Sequence, residues 1–344
     1  MPHCLWKPRF FGKNRVKLSF WEKARFKNNI CLKGEGISMR KLLFLINPHA
    51  GRAEIKTRAL EAIDLFVKAG WEPTVRTTQR PLEIPELLEA RANEFELVVC
   101  CGGDGTLNET VSGLMQCDPR PLLGYIPAGT VNDFAYSLGL SKNIREASQA
   151  IVEGTPFPCD VGRFGDRYFS YIAAFGAFTD VSYQTPQESK CRLGRAAYIL
   201  EGIRRLPTIK TYRMSITHDG GRVEGDFLFG MVSNAISVGG FRLHEDFAIS
   251  MNDGLLEVLL VRSPEDLTQT RSLIRAILQQ ELDSEYLVSL RTSHLLCEAE
   301  EEVPWTLDGE YGGSLRSVEV RNCHQAIRVL RPKPMPAKQG QANP

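Results

Sequence analysis

Five consecutive residues, Gly102-Gly103-Asp104-Gly105-Thr106, carry the plainest chemical signal in the chain. Glycine has no Cβ, so the backbone amides of such a turn can approach a polyanion closely, and the turn can hold phosphate without a lysine. The same residues also suit a tight strand-to-helix turn in which Asp104 caps the helix; the pattern alone leaves both readings open. Asn47-Pro48-His49-Ala50-Gly51 and Gly129-Thr130-Val131-Asn132-Asp133-Phe134 are two more small, polar loops. Glu310, behind Gly309, is a carboxylate that suits proton transfer or an exposed hairpin equally well.

The elements around these loops decide whether they meet. Lys41 to Ile46 reads as a buried strand that Asn47 to Gly51 breaks. Ile55, Ala59, Ile63, Phe66 and Val67 then recur at helical spacing, with Gly70 where a helix would end. A short strand near Thr74 to Thr77 follows, then a helix opened in its first turn by Pro85. Leu97 to Cys101 is a second buried strand, Leu107 to Met115 a helix, and Leu122 to Ile126 a strand leading into the turn Pro127 to Thr130. Apolar strands alternating with helices predict a parallel α/β sheet with its ligand loops at the carboxyl ends of the strands. The three loops therefore converge on one edge.

Character changes near Pro156-Phe157-Pro158. Tyr212 to Thr217 and Val223 to Val232 read as strands joined by the hairpin signal His218-Asp219-Gly220-Gly221, so a mostly antiparallel second domain is expected. Arg195 to Leu206 is a helix candidate within it. The expected division is a basic extension at 1–38, an α/β nucleotide domain at 39–158 completed by 319–332, a mostly β domain at 159–318, and a disordered tail at 333–344. The extension holds nine Lys or Arg against two acids. It reads as an upstream stretch from a misassigned start rather than as a membrane-surface arm.

Composition narrows the function. With 42 basic residues against 41 acidic ones, nucleic acid is not an expected partner. Nine irregularly spaced cysteines suggest reduced thiols in a cytosolic protein. The longest apolar runs, such as Leu42 to Ile46, fall far short of the roughly 18 residues of a spanning helix.

Several motifs in order make a resemblance specific: the asparagine-proline loop, Gly102 to Glu109, Pro127 to Phe134, Asp160-Val161-Gly162, Asn252-Asp253-Gly254-Leu255, and Asp308-Gly309-Glu310-Tyr311-Gly312-Gly313. From about Arg40 to Pro332 the chain resembles the bacterial diacylglycerol kinases and related lipid kinases, whose catalytic domain is shared with sphingosine and ceramide kinases. The resemblance implies a Rossmann-like nucleotide domain followed by an antiparallel β-sandwich domain. It implies ATP contacts from Asn47, Pro48, His49, Ala50, Gly51, Thr78, Gly102, Gly103, Asp104, Gly105, Thr106, Leu107, Asn108 and Thr130. It also implies Mg²⁺ near Asp253 and the backbone carbonyls of Ser250 and Leu255, with Glu310 as proton acceptor; the chemistry of phosphoryl transfer adds Asp104 as a catalytic candidate that orients the metal's water or the catalytic groups. Asp133 and Asp160 are further candidates for orienting the metal's water or the catalytic groups, turn capping being the plainer alternative.

Two positions depart from the family pattern. Ala50 stands where many relatives have serine, and Asn252 replaces a common acid beside Asp253. These changes bear on nucleotide and metal affinity rather than on reaction class. The implied substrate is a lipid, most simply diacylglycerol, met by a cytoplasmic protein attached peripherally to the membrane; a homodimer stays open. Lys190, Arg192, Arg195, Arg204, Arg205, Lys210 and Arg213 crowd one region that suits an anionic bilayer or a solvated face. The rival readings are a soluble-substrate kinase of the NAD kinase type and a catalytically silent binding module. A nicotinamide dehydrogenase is disfavoured because no Gly-x-Gly-x-x-Gly follows the first strand.

Overall fold

The computed structural model describes residues 39–50, 54–176, 210–235, 237–238, 241–242, 250–279 and 284–333. A strand that is apolar on both faces must be covered on both faces. In β1 (Arg40–Ile46), Leu42, Phe44 and Ile46 pack into one core while Leu43 and Leu45 enter another. β3 (Leu97–Gly102) divides the same way, with Leu97, Val99 and Cys101 opposite Val98 and Cys100. Helices Glu54–Lys68 and Ile144–Glu153 cover the first face. Helices Glu83–Arg91 and Asp104–Met115 cover the second. With β2 (Trp71–Thr77) and β4 (Leu122–Pro127), the parallel strand order is β2-β1-β3-β4.

One boundary shifts from expectation. β2 begins at Trp71 rather than Thr74, since the Trp71 indole is buried under the Arg40 guanidinium, 3.9 Å from the ring centroid. The next helix starts at Glu83 and holds Pro85 in its first turn, as expected; Leu82 turns the chain into it through φ 60°, and the Glu83 carboxylate accepts the Gln79 N–H at 2.7 Å.

The second half is antiparallel. β5 (Thr155–Phe164), β6 (Arg167–Phe169), β7 (Ile172–Gly176), β8 (Tyr212–His218) and β9 (Gly221–Ser233) come first. The short pair β10 (Ser237–Val238) and β11 (Phe241–Arg242) stands apart. β12 (Leu256–Arg262), the helix Leu267–Gln279, β13 (Leu287–Thr292), β14 (His294–Leu307) and β15 (Glu310–Arg331) follow. The β8–β9 hairpin turns at Asp219-Gly220, as its sequence predicts. Trp305 anchors this half's core, 4.8 Å from the Phe175 ring and 5.0 Å from Phe164. β15 pairs with β14 and β5, then sets Val329 beside Leu123 of β4, so one strand runs from the second half into the parallel sheet. The expected fold class, a parallel α/β unit followed by a mostly antiparallel one, is the fold observed.

All six described cysteines are free, and burial pushes the Cys100 thiol up to about 12, which suits packing rather than reactivity. Among the described residues no helix is long and apolar enough to cross a membrane. Gly51, the extension before Met39, the helix expected at 195–206, and the basic region other than Lys210 and Arg213 lie outside the described residues.

Candidate active site

The glycine-rich turn is built by close approach. A Cβ on Gly102 would stand 2.5 Å from the Thr106 Cβ, and one on Gly129 would stand 2.8 Å from the Gly103 Cα. The turns after β3 and β4 are thus pressed together, and the Ala128 N–H donates to the Gly102 carbonyl at 2.8 Å. The Asn47 backbone N–H donates to the Cys101 carbonyl at 2.9 Å. Its side-chain Nδ2 donates to the Thr106 Oγ1 at 2.9 Å, and its Oδ1 accepts the His49 N–H at 2.9 Å. The Thr78 N–H reaches the Ile46 carbonyl at 2.9 Å. Sheet pairing therefore brings Asn47, His49, Ala50, Thr78, the turn from Gly102 and the loop at Thr130 to the same edge.

Asp104 is not the cap that the local pattern allows. Gly103 holds the N-cap position, and Asp104 opens the helix. Its Oδ2 accepts the Asn132 N–H at 3.0 Å from the neighbouring loop, while its buried Oδ1 has no hydrogen-bond partner. Burial pushes the carboxyl up to about 7; Asp308 and Asp133 add to this, and the Asn132 N–H and Lys142 oppose it. Asn132, whose importance sequence reasoning missed, is fully buried at φ 58°. Its Oδ1 accepts the Gly129 N–H at 3.0 Å and its Nδ2 donates to the Gly129 carbonyl at 2.6 Å. Asparagine tolerates this left-handed backbone, so an Asn just ahead of a helix was the available signal. Lys142 braces the same loop, donating to the carbonyls of Thr130 and Val131, each at 3.1 Å.

A pH test follows from Asp104. Its folded-state pKa lies above the unfolded one, so the contribution of Asp104 to stability is fully present at low pH and is lost as pH rises toward about 7. Asn cannot ionise and retains an oxygen for the Asn132 N–H. Asp104→Asn should therefore gain stability relative to wild type by about 2–3 kcal/mol between about pH 5 and pH 8. Urea unfolding across that range measures it, and a constant difference would contradict the burial of a charged Asp104.

Across from the turn, the β14–β15 hairpin sends two carboxylates in different directions. Asp308 (φ 51°) is buried. Its Oδ1 accepts the N–H groups of Tyr171 and Ile172, each at 3.0 Å; its Oδ2 accepts the Ser170 N–H at 2.6 Å and the Asn108 Nδ2 at 2.8 Å. Asn108 also donates to the Tyr168 carbonyl at 3.0 Å. These bonds tie the helix Asp104–Met115 to the antiparallel half, and they occupy the amide of Asn108, a residue expected to contact nucleotide. Burial raises the Asp308 carboxyl, and the three backbone N–H groups and Asn108 oppose the rise.

Glu310, two residues on, is exposed. Its Oε1 lies 3.5 Å from where a Cβ on Gly105 would sit, so the first turn of the helix and this carboxylate face each other across a gap that glycine keeps open. Tyr171 reports the same convergence: its buried hydroxyl is pushed well up by burial first, then by Asp308, Asp104, Asp133 and Glu310. The positive end of a helix, unpaired amides and a nearby carboxylate suit a phosphoryl group meeting a hydroxyl.

The loop at 250–255 has other attachments. Asp160 is fully buried, with its Oδ2 accepting the Gly254 N–H at 2.7 Å and the Asn322 Nδ2 at 3.1 Å, and its Oδ1 accepting the Gln325 N–H at 2.6 Å. The Asp253 carboxylate bonds to the Arg291 guanidinium and accepts the Leu255 N–H at 3.1 Å. The Leu255 carbonyl accepts the Asn322 Nδ2 at 3.0 Å, and the Ser250 hydroxyl donates to Asn252 Oδ1 at 2.7 Å. Among the described residues, no three His, Cys, Asp or Glu side chains are grouped to hold a metal ion. With one carboxylate, already paired to a guanidinium, Ser250, Asp253 and Leu255 do not fit a divalent cation as arranged.

Residues 41–164 match the diacylglycerol kinase catalytic domain, and residues 175–331 match the YegS C-terminal NAD kinase beta sandwich-like domain. A diacylglycerol kinase of Bacillus subtilis (strain 168) is 33% identical over 298 residues, covering 86% of this chain and 97% of that protein. One from Staphylococcus carnosus (strain TM300) is 32% identical, covering 86% and 96%. The crystal structure of a Bacillus anthracis str. Sterne protein assigned to the diacylglycerol kinases superposes with a TM-score of 0.73 at 26% identity, covering 86% of this chain and 98% of that one.

Proposed function

The chain belongs to the diacylglycerol kinase family and is a lipid kinase, and we propose that it transfers the γ-phosphoryl group of ATP to the free hydroxyl of diacylglycerol, giving phosphatidic acid. The observation that carries this reading is Glu310 facing Gly105 at the head of the helix Asp104–Met115. ATP enters as its magnesium complex, whose cation neutralises phosphate charge. The turn from Gly102 to Thr106 offers amides to the phosphates, with Asn47, His49, Ala50, Thr78 and Thr130 around it. Glu310 accepts the hydroxyl proton as the lipid oxygen bonds to the γ-phosphorus and the bond to the β-phosphate oxygen breaks, releasing ADP.

The lipid arrives from a membrane that the protein touches peripherally on its cytoplasmic side. Tyr311, 54% exposed beside Glu310, offers this substrate an apolar contact. The two described members of the basic region are engaged, Lys210 with Glu301 at 2.6 Å and Arg213 with Asp226 at 3.1 Å, so exposed ion pairs soften that charge. A second reading, a water-soluble acceptor, is favoured by the NAD kinase likeness of residues 175–331.

Purified protein incubated with γ-labelled ATP, Mg²⁺ and separate mixed micelles of diacylglycerol, a sphingoid base or phosphatidylglycerol, with NAD in solution as a further arm, tests the assignment. Label in phosphatidic acid is the expected result. Label in another lipid alone would replace the acceptor, and label in NAD alone would favour the second reading.

A further inference from the structure

Arg291 lies on β13 opposite Glu257 of β12, in register. Its guanidinium bonds to Asp253, and its Nε lies 3.3 Å from the Glu257 Oε1. Glu257 is almost fully buried, while Arg291 and Asp253 are about one-third exposed. One planar cation thus joins the loop carboxylate to a buried strand carboxylate, an arrangement that the fork of arginine suits and lysine does not.

The remaining attachments of the loop are also supplied by the chain. Gly254, at φ 82°, donates to Asp160, and the Leu255 carbonyl is held by Asn322. Asn252 contributes no charge. A magnesium ion demands six oxygens in a near-octahedral shell and is usually held by one or two carboxylates together with substrate phosphates. Placed here, it would share its single loop carboxylate with a guanidinium and meet that group's repulsion.

We infer that Arg291 supplies the cation of the 250–255 loop, so that this loop holds its shape without a divalent metal. The divalent requirement of phosphoryl transfer then rests on the nucleotide. The inference does not depend on which acceptor is phosphorylated.

Paramagnetic broadening by Mn²⁺, followed on the backbone amides of nucleotide-free protein, tests this directly. In wild type, the amides of residues 252–256 should stay sharp up to millimolar Mn²⁺. In Arg291→Gln, which frees the Asp253 carboxylate and removes the repulsion, they should broaden at a concentration about tenfold or more lower. EDTA-reversible broadening of these amides in wild type would overturn the proposal. So would sharp amides in a folded Arg291→Gln protein, since Arg291 would then not be what displaces the metal. If that variant does not fold, the wild-type titration decides alone.

Discussion

Glu310→Gln should fold, bind MgATP as wild type does, and transfer phosphate about 10²–10⁴ times more slowly. Gln keeps the length and nearly the volume of Glu, and the side chain is exposed at the start of β15, so packing has little reason to change. What disappears is the carboxylate's capacity to accept a proton across the gap at Gly105. Proton acceptance matters in the transition state more than in the ground state, so the loss belongs in kcat rather than in nucleotide affinity. Single-turnover transfer together with equilibrium nucleotide binding separates the two. A matching loss of affinity would assign Glu310 a binding role.

Asp308→Asn should be the more damaging change to the molecule itself. The Asp308 carboxylate accepts three backbone N–H groups and the Asn108 amide, a set that needs two acceptor oxygens. Asn presents one oxygen and one NH₂, which sets donor against donor at Ser170 or at Tyr171 and Ile172. Leaving such buried donors unsatisfied costs about 3 kcal/mol, readable as a lower urea midpoint. The same bonds set the hairpin that carries Glu310 against the helix that carries Gly105. A shift of the order of 1 Å in that alignment lowers kcat by about 10²-fold while leaving MgATP affinity near wild type. Asn108→Ala removes one of the four bonds and should show a milder loss of both kinds. Wild-type stability in Asp308→Asn would remove Asp308 as the tie between the two halves.

The parts of the fold that were legible in the sequence are those whose cause is local. β1 and β3 are apolar without interruption because both their faces are buried, and a run of that kind reads as a parallel-sheet strand. The glycines from Gly102 to Gly105 are read because a turn needs them whatever lies elsewhere. β15 was harder: over its 22 residues exposed and buried positions alternate only in patches, at Val318 and Val320 and again at Ile327 and Val329, and the register shifts between Cys323 and Ile327, so its sequence resembles several short strands. β14 carries the acidic run Glu300-Glu301-Glu302, which reads as a loop although Val303 beyond it is fully buried.

The candidate site divides along the same line. Asp104 and Glu310 were legible as chemistry, whereas the partners that position them were not. Asp308 meets amides 136 to 138 residues away, and no local pattern records that. Asp160 reads as one more acid in a motif, yet its oxygens are taken up by the backbone and side chains of the 250–255 loop and of β15. Arg291 carried no signal at all, because its meaning depends on β13 lying beside β12.

Transfer by this site requires that the phosphates sit on the turn from Gly102 to Thr106 with the γ-phosphorus turned toward Glu310. A crystal structure with a non-hydrolysable ATP analogue and Mg²⁺ measures it. The predicted result is the β- and γ-phosphates on the amides that open the helix Asp104–Met115, with the Glu310 carboxylate beyond the γ-phosphorus and in line with its bond to the bridging oxygen. A nucleotide seated elsewhere, or one whose γ-phosphate points away from Glu310, would contradict it.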